Sequence, residues 1–200
     1  MSLAIALPTN NDWGIPVLEL SMQADAVDLP FARWGRERRK SRMKGTWHFY
    51  TEDYRFNRLW ERPQDLTNSG CVSAVEPNFF INEQTPAAVA LYQTYRKRFL
   101  ARVWQGHGVR IVVDLGVASG HAQTNMIGVP MGWRAYATKG STERLESIKN
   151  ELDLARSRAG TSRLLFVVYG GGGAVRDLAL RENLLWFPES ADVERGRVDV

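Results

Sequence analysis

Downstream of residue 70 the chain alternates short apolar runs with longer amphipathic stretches. Apolar runs at 71–80, 109–115, 133–138, 164–169 and 183–187 have the length and composition of strands. Thr85-Pro86 opens a helix running to about residue 105, with a hydroxyl cap and proline at its first position. Val89, Tyr92, Tyr95, Phe99 and Val103 recur at spacings of three and four, which predicts the buried face of that helix, and Gly106 and Gly108 end it. Ser141-Thr142 caps a second helix from 143 to about 158, ended by Gly160, and a short third helix is expected over 175–181. Between 116 and 128 the chain is polar and glycine-rich, with room for one short helix. Upstream, 47–50 is an aromatic strand, and a turn or helix follows from Glu52-Asp53 to Trp60, stopped by Pro63. Residues 1–32 read as an irregular entry broken by Pro8, Asn10, Asn11 and Gly14.

Strand and helix alternating at this spacing predict an α/β fold. Its sheet is mostly parallel with right-handed crossovers, either open or curled into a partial TIM-like barrel. The length of 200 residues suits one domain: an irregular N-terminal extension with a basic segment (1–45), a core (46–188) and an acidic tail (189–200). Apolar residues at 44% and charged residues at 24% are ordinary globular usage, so a core forms without a metal or disulfide staple. Cys71 is the single cysteine, which excludes an intramolecular disulfide and suits a reducing, cytoplasmic setting. The N-terminus lacks the form of a secretory signal, and no apolar run approaches the roughly 18 residues of a membrane span.

In parallel α/β folds ligands bind beyond the carboxyl ends of the strands. That rule selects Glu76, Asp114, Lys139 and Tyr169 with the residues after each. Glu76 and Asp114 both close apolar strands, so they are the candidate acid–base pair, and with His121 a candidate metal set. The structural alternative makes Asp114 a loop cap and pairs Glu76 with an arginine. Lys139 and Ser141 precede a helix, and Gly170 and Gly171 open a run of four glycines between a strand and a helix. Both places are candidate phosphate sites, since backbone N–H groups at helix starts favour anions. Neither has Walker or dinucleotide-fingerprint spacing. Capping and loop flexibility are the alternatives there. His48, His107 and His121 share no metal-ligand spacing, and nothing points to a particular cofactor. Asp53-Tyr54-Arg55 is expected to form a buried Asp–Arg pair or to project Arg55 into the rim.

Charge changes this picture in one place. The net charge is +4, yet residues 33–44 carry +6 by themselves, leaving −2 for the rest. Arg36, Arg38, Arg39, Lys40, Arg42 and Lys44 are candidate phosphate contacts, and Trp34 among them is a candidate stacking platform for a base. A solvated charged face, or an acidic protein partner, is the alternative.

Several blocks carry a resemblance. His48-Phe49-Tyr50, Asp53-Tyr54-Arg55-Phe56, Trp60 and Pro63 resemble the HFF…DYRF…W..P pattern of a family of unknown function from bacteria, phages and plasmids. Glu76-Pro77-Asn78-Phe79 resembles its SPDF element, with Asn78 where the family has an acid, and Tyr169-Gly170 its late YG pair, here followed by three more glycines. The resemblance spans roughly 45–188 and implies a protein of a mobile element. Two readings result. One is a nucleic-acid-binding accessory protein of a phage or plasmid, acting in replication, partition or evasion of host defence. The other is a small enzyme acting on a phosphorylated small molecule or phosphoester at the strand ends.

Overall fold

The computed structural model describes residues 6–35 and 43–189. Seven strands form one sheet in chain order: β1 (Phe31–Arg33), β2 (Thr46–His48), β3 (Ser73–Val75), β4 (Arg110–Asp114), β5 (Ala135–Lys139), β6 (Leu165–Tyr169) and β7 (Leu185–Phe187). Every neighbouring pair is parallel. When each strand lies beside its predecessor, right-handed crossovers all return on the same face. The helices then cover one face and the sheet curls around the other, giving a half-barrel of TIM type. This is the parallel, partly closed architecture that the alternation predicts.

The concave face is closed by rings rather than by strand pairing. Phe31 of β1 lies 4.6 Å from Phe187 of β7, and Tyr169 of β6 lies 4.3 Å from His48 and 5.6 Å from Tyr50. Strands from opposite ends of the order therefore share one interior.

The helices are α1 (Arg58–Glu61), α2 (Gln64–Thr67), α3 (Ala87–Gln105), α4 (Ala122–Asn125), α5 (Leu145–Ala159) and α6 (Gly172–Arg181). All five strands expected after residue 70 are present. β1 was not foreseen: it is three residues long, follows Pro30 and ends on Arg33, so it reads as the start of the basic run. The entry before it is irregular, as expected, but packed. Ile15, Leu18 and Ala24 are buried, and Gln105 accepts from Glu19 N at 2.9 Å while donating to Glu19 O at 3.0 Å.

Helix α3 corrects a second expectation. Pro86 is its N-cap rather than its first residue, and the aromatic stripe is not the buried face. Val89 and Tyr92 are exposed, while Ala90, Thr94, Lys97, Arg98, Ala101 and Trp104 are buried. Tyr92, Tyr95 and Phe99 instead form a satellite cluster around Trp60, with Arg96 above it.

Candidate functional site

A cleft of about 1020 Å³ opens at the carboxyl ends of the strands. Arg33 at the end of β1, Tyr50 after β2, Asn78 after β3, Gly116 after β4, Lys139 ending β5 and Tyr169 ending β6 all line it. Parallel strands deliver their ends to one rim, which is why residues so far apart in sequence meet. One wall is apolar, with Phe80 69% exposed beside Ile81. Arg33, Lys139 and Arg144 supply positive charge, and Glu52, Asp53, Glu83 and Glu189 negative charge. Some acids are already engaged: Glu52 pairs with Arg55 at 2.7 Å, and Glu83 accepts from Ser119 N and Oγ, each at 3.2 Å.

Beneath the rim between β3 and β4 lie Glu76 and Asp114, both fully buried. They do meet, Asp114 N donating to Glu76 Oε2 at 3.3 Å. Each is also held by a cation from α3. Arg98 donates to both Glu76 oxygens and to Asn125 O, and its Nε donates to Ile127 O at 3.0 Å. Lys97 Nζ donates to Asp114 Oδ2 at 2.8 Å, Asp114 O at 2.9 Å and Asn125 Oδ1 at 2.8 Å, which uses all three of its protons. Gly116 N donates to the other Asp114 oxygen at 3.3 Å. Both carboxylates are thus neutralised and saturated, in the manner of the structural alternative. Buried charges persist only when paired and hydrogen-bonded in this way.

Between β2, β5 and α5 the arrangement differs. Tyr50, Thr138 and Glu151 are buried, and Tyr50 Oη, Thr138 Oγ1 and Glu151 Oε2 have no hydrogen-bond partner. Oε1 of Glu151 is held by Arg144. Thr138 and Glu151 face one another, as do Tyr50 and Asp114, without a well-formed bond in either pair. Burial raises the Glu151 carboxyl to about 7 against the pull of Arg144, and burial with the Asp114 charge pushes the Tyr50 phenol well above its usual range. Glu151 also walls a side pocket of about 170 Å³, which shares Val117, Ser119 and Ser147 with the cleft. No strand-end rule selects Glu151. Its available signal is position: it lies on the buried stripe Ile148, Leu152, Ala155 and Ala159 of α5, where an acid is out of place.

The other expected site residues fall as follows. Lys139 lines the cleft. Ser141 caps the turn into α5, its Oγ accepting from Glu143 N at 3.4 Å. Gly170 and Gly171 serve close packing: a Cβ on Gly171 would lie 2.8 Å from Gly140 C and 2.9 Å from Ser141 N, and Gly171 holds φ +86°. The glycine run is therefore the start of α6 rather than a loose loop. Asp53 accepts from Phe80 N at 3.2 Å, while Arg55 pairs with Glu52, so the expected Asp53–Arg55 pair does not form. His48 is buried among rings and is lowered to about 3 by burial and by the Arg33 and Lys139 charges. Among the described residues no group of His, Cys, Asp and Glu is arranged to hold a metal, and no helix is long and apolar enough to cross a membrane. Trp34 is 3% exposed, edge-on to Trp47 at 5.3 Å, which leaves no open face for a base. Arg36, Arg38, Arg39, Lys40 and Arg42 lie outside the described residues. Lys44, just past them, is exposed.

Residues 7–155 match DUF4417, a domain of unknown function, and the chain belongs to that family. It is similar to the Gene 1 proteins of Mycobacterium phages D29 and L5, 26% identical to each over 117 residues. The match covers 56% of this chain, 42% of the D29 protein and 50% of the L5 protein, so the chain spans about half the length of the curated relatives it matches. No solved structure matches the chain.

Proposed function

We propose that this DUF4417 protein binds nucleic acid at its carboxyl-end cleft, as an accessory protein of a phage or related element. The observation that carries the reading is the position of Arg33. It lines the cleft, and two residues later the chain enters the run holding Arg36, Arg38, Arg39, Lys40 and Arg42. That run follows closely in sequence on Arg33, a residue of a cleft that carries Lys139 as well. Arg33 and Lys139 favour a polyanion through counterion release, while Glu52, Asp53 and Glu83 on the same lining are held by Arg55, Phe80 N and Ser119. The phage origin of the relatives supports the same reading.

The test is binding of labelled single- and double-stranded DNA and RNA across a salt series. Wild type is compared with a variant neutralised at Arg36, Arg38, Arg39, Lys40, Arg42 and Lys44. Binding that weakens steeply with salt and is lost in the variant is expected; no binding at low salt overturns the reading.

A second reading, a phosphoester enzyme, is favoured by one observation: Glu151 is a buried carboxyl raised to about 7, a range suited to proton transfer at neutral pH. It expects hydrolysis of a nitrophenyl phosphodiester that Glu151→Gln abolishes.

A further inference from the structure

We propose that the mouth of the half-barrel holds a phosphomonoester site. In it Arg33, at the end of β1, and Lys139, at the end of β5, bind a terminal phosphate above the rings of His48 and Tyr169. The proposal rests on the nucleic-acid reading and names the part of the ligand that these two cations take: the phosphorylated end, rather than the diesters along a strand.

Sheet register brings the two cations together. Arg33 is the partner of His48 in the β1–β2 pair, and Lys139 is the partner of Tyr169 in the β5–β6 pair. Residues paired across neighbouring strands point to the same face of a sheet. The His48 and Tyr169 rings lie 4.3 Å apart on the concave face, so Arg33 and Lys139 stand on that face too, one beside each ring. Both line the cleft, and both act on one imidazole: after burial itself, the Arg33 and Lys139 charges lower His48 to about 3.

Neither charge is answered. Among the described residues neither Arg33 nor Lys139 forms an ion pair, and neither head group makes a hydrogen bond. Arg144, the third cation of the lining, is by contrast engaged, donating to Lys139 O at 2.7 Å and to Glu151. Glu52, Asp53 and Glu83 are held by Arg55, Phe80 N and Ser119. Glu189, packed at Gly170, is the remaining acid of the lining and a competitor for an anion there. Two cations that a sheet holds near one another without a counter-ion repel, and an anion between them removes that cost. The amount of charge selects the class. A phosphomonoester carries about −1.5 to −2 at neutral pH and three strong acceptor oxygens, whereas a diester within a strand carries a single charge. An arginine fork takes two of those oxygens and a lysine, as a point charge, the third. The surroundings suit an end as well. Rings fill the concave face beside and below the cations, Phe31 lying 4.6 Å from Phe187 and Tyr50 5.6 Å from Tyr169, so a group that enters from the mouth stops there.

A terminal phosphate is offered by the end of a strand and by a free nucleotide, so the experiment separates them. Isothermal titration of the full chain compares short single-stranded oligonucleotides with and without a 5′-phosphate, a nucleoside 5′-monophosphate with its nucleoside, and inorganic phosphate. The expected result is about tenfold or tighter binding of each phosphorylated ligand than of its unphosphorylated form, the worth of a charge-assisted hydrogen bond. Arg33→Gln and Lys139→Gln each remove most of that ratio, and Glu189→Gln raises it. Arg163→Gln, at an exposed cation just before β6 and so at the opposite end of the sheet, leaves it unchanged. Tighter binding of the phosphorylated strand than of the monophosphate assigns the site to strand ends, and the reverse assigns it to free nucleotides; either upholds the site. Oligonucleotides that bind with steep salt dependence whether phosphorylated or not, with monophosphate no better than nucleoside, overturn the site and leave the nucleic-acid reading standing. Monophosphate binding that depends on both cations, without any oligonucleotide binding, does the opposite. A phosphate preference that survives in both Arg33→Gln and Lys139→Gln also overturns the site.

Discussion

Two sets of polar side chains are buried at the same end of this half-barrel, and they are completed differently. Below β3 and β4, Glu76 and Asp114 each meet a cation from α3, and the surrounding amides and carbonyls take up the remaining bonds. Between β2, β5 and α5, Tyr50, Thr138 and Glu151 keep polar atoms with no partner. The first set offsets its own desolvation and ties α3 and α4 to the sheet. The second is tied less fully: Arg144 holds one Glu151 oxygen, while Thr138 faces Glu151 and Tyr50 faces Asp114 without well-formed bonds. The lesson is that buried acids are not to be ranked by position at a strand end alone; what matters is how fully each is paired.

The largest expected effect separates the two sets. Lys97→Met leaves Asp114 buried without its counter-ion and should cost about 3–5 kcal/mol in urea unfolding. Adding Asp114→Leu should restore most of that loss, since a buried pair replaced whole by apolar residues is often neutral. A loss under about 1 kcal/mol for Lys97→Met would erase the contrast.

Next comes pH. The folded-state pKa of Glu151 is raised to about 7 from 4.5, so the folded protein holds its proton more tightly than the unfolded chain. Stability contributed by this group is full below about pH 4.5 and is lost as pH rises toward 7, by at most about 3 kcal/mol. His48, lowered to about 3 from 6.5, acts in the opposite sense: its contribution is full above 6.5 and lost as pH falls toward 3. Between about 4.5 and 6.5 the two slopes oppose. Glu151→Gln should unmask the His48 slope, so that urea midpoints climb with pH through that window; an unchanged pH profile would contradict a Glu151 carboxyl whose burial outweighs its pairing with Arg144.

The smallest effect is the most telling one. Thr138→Val removes a hydroxyl that faces Glu151 without a well-formed bond, so stability should stay within about 0.5 kcal/mol of wild type or rise. A loss above about 1.5 kcal/mol would show that the hydroxyl is already satisfied and belongs with the first set.

Much of the frame was legible in the sequence. The five apolar runs after residue 70, the Ser141 cap and the Gly160 stop each correspond to an observed element, because period and punctuation are local signals. The convergence at one rim followed from parallel order. What was not legible depends on tertiary context. The stripe Val89–Tyr92–Tyr95–Phe99 has the spacing of a buried face, yet the opposite side of α3 is needed to neutralise Glu76 and Asp114, so Lys97 and Arg98 go inward. The two cations lie on the stripe Ala90, Thr94, Ala101 and Trp104, a pattern visible only to a reader prepared to count charges as core. Glu151 was hidden for the same reason. Gly170 and Gly171 read as a phosphate loop because close backbone packing and anion binding ask for the same residue.

The central proposal is that nucleic acid binds at the cleft lined by Arg33 and Lys139. Its most direct test is the salt slope of single-strand binding in wild type and in Arg33→Gln/Lys139→Gln. Each phosphate contact adds about 0.7 to the slope of log affinity on log salt, so removing two lining cations should lower it by about 1.4 while unfolding stability is unchanged. An unaltered slope in the double variant would contradict the claim, placing any binding on the basic run alone and away from the cleft.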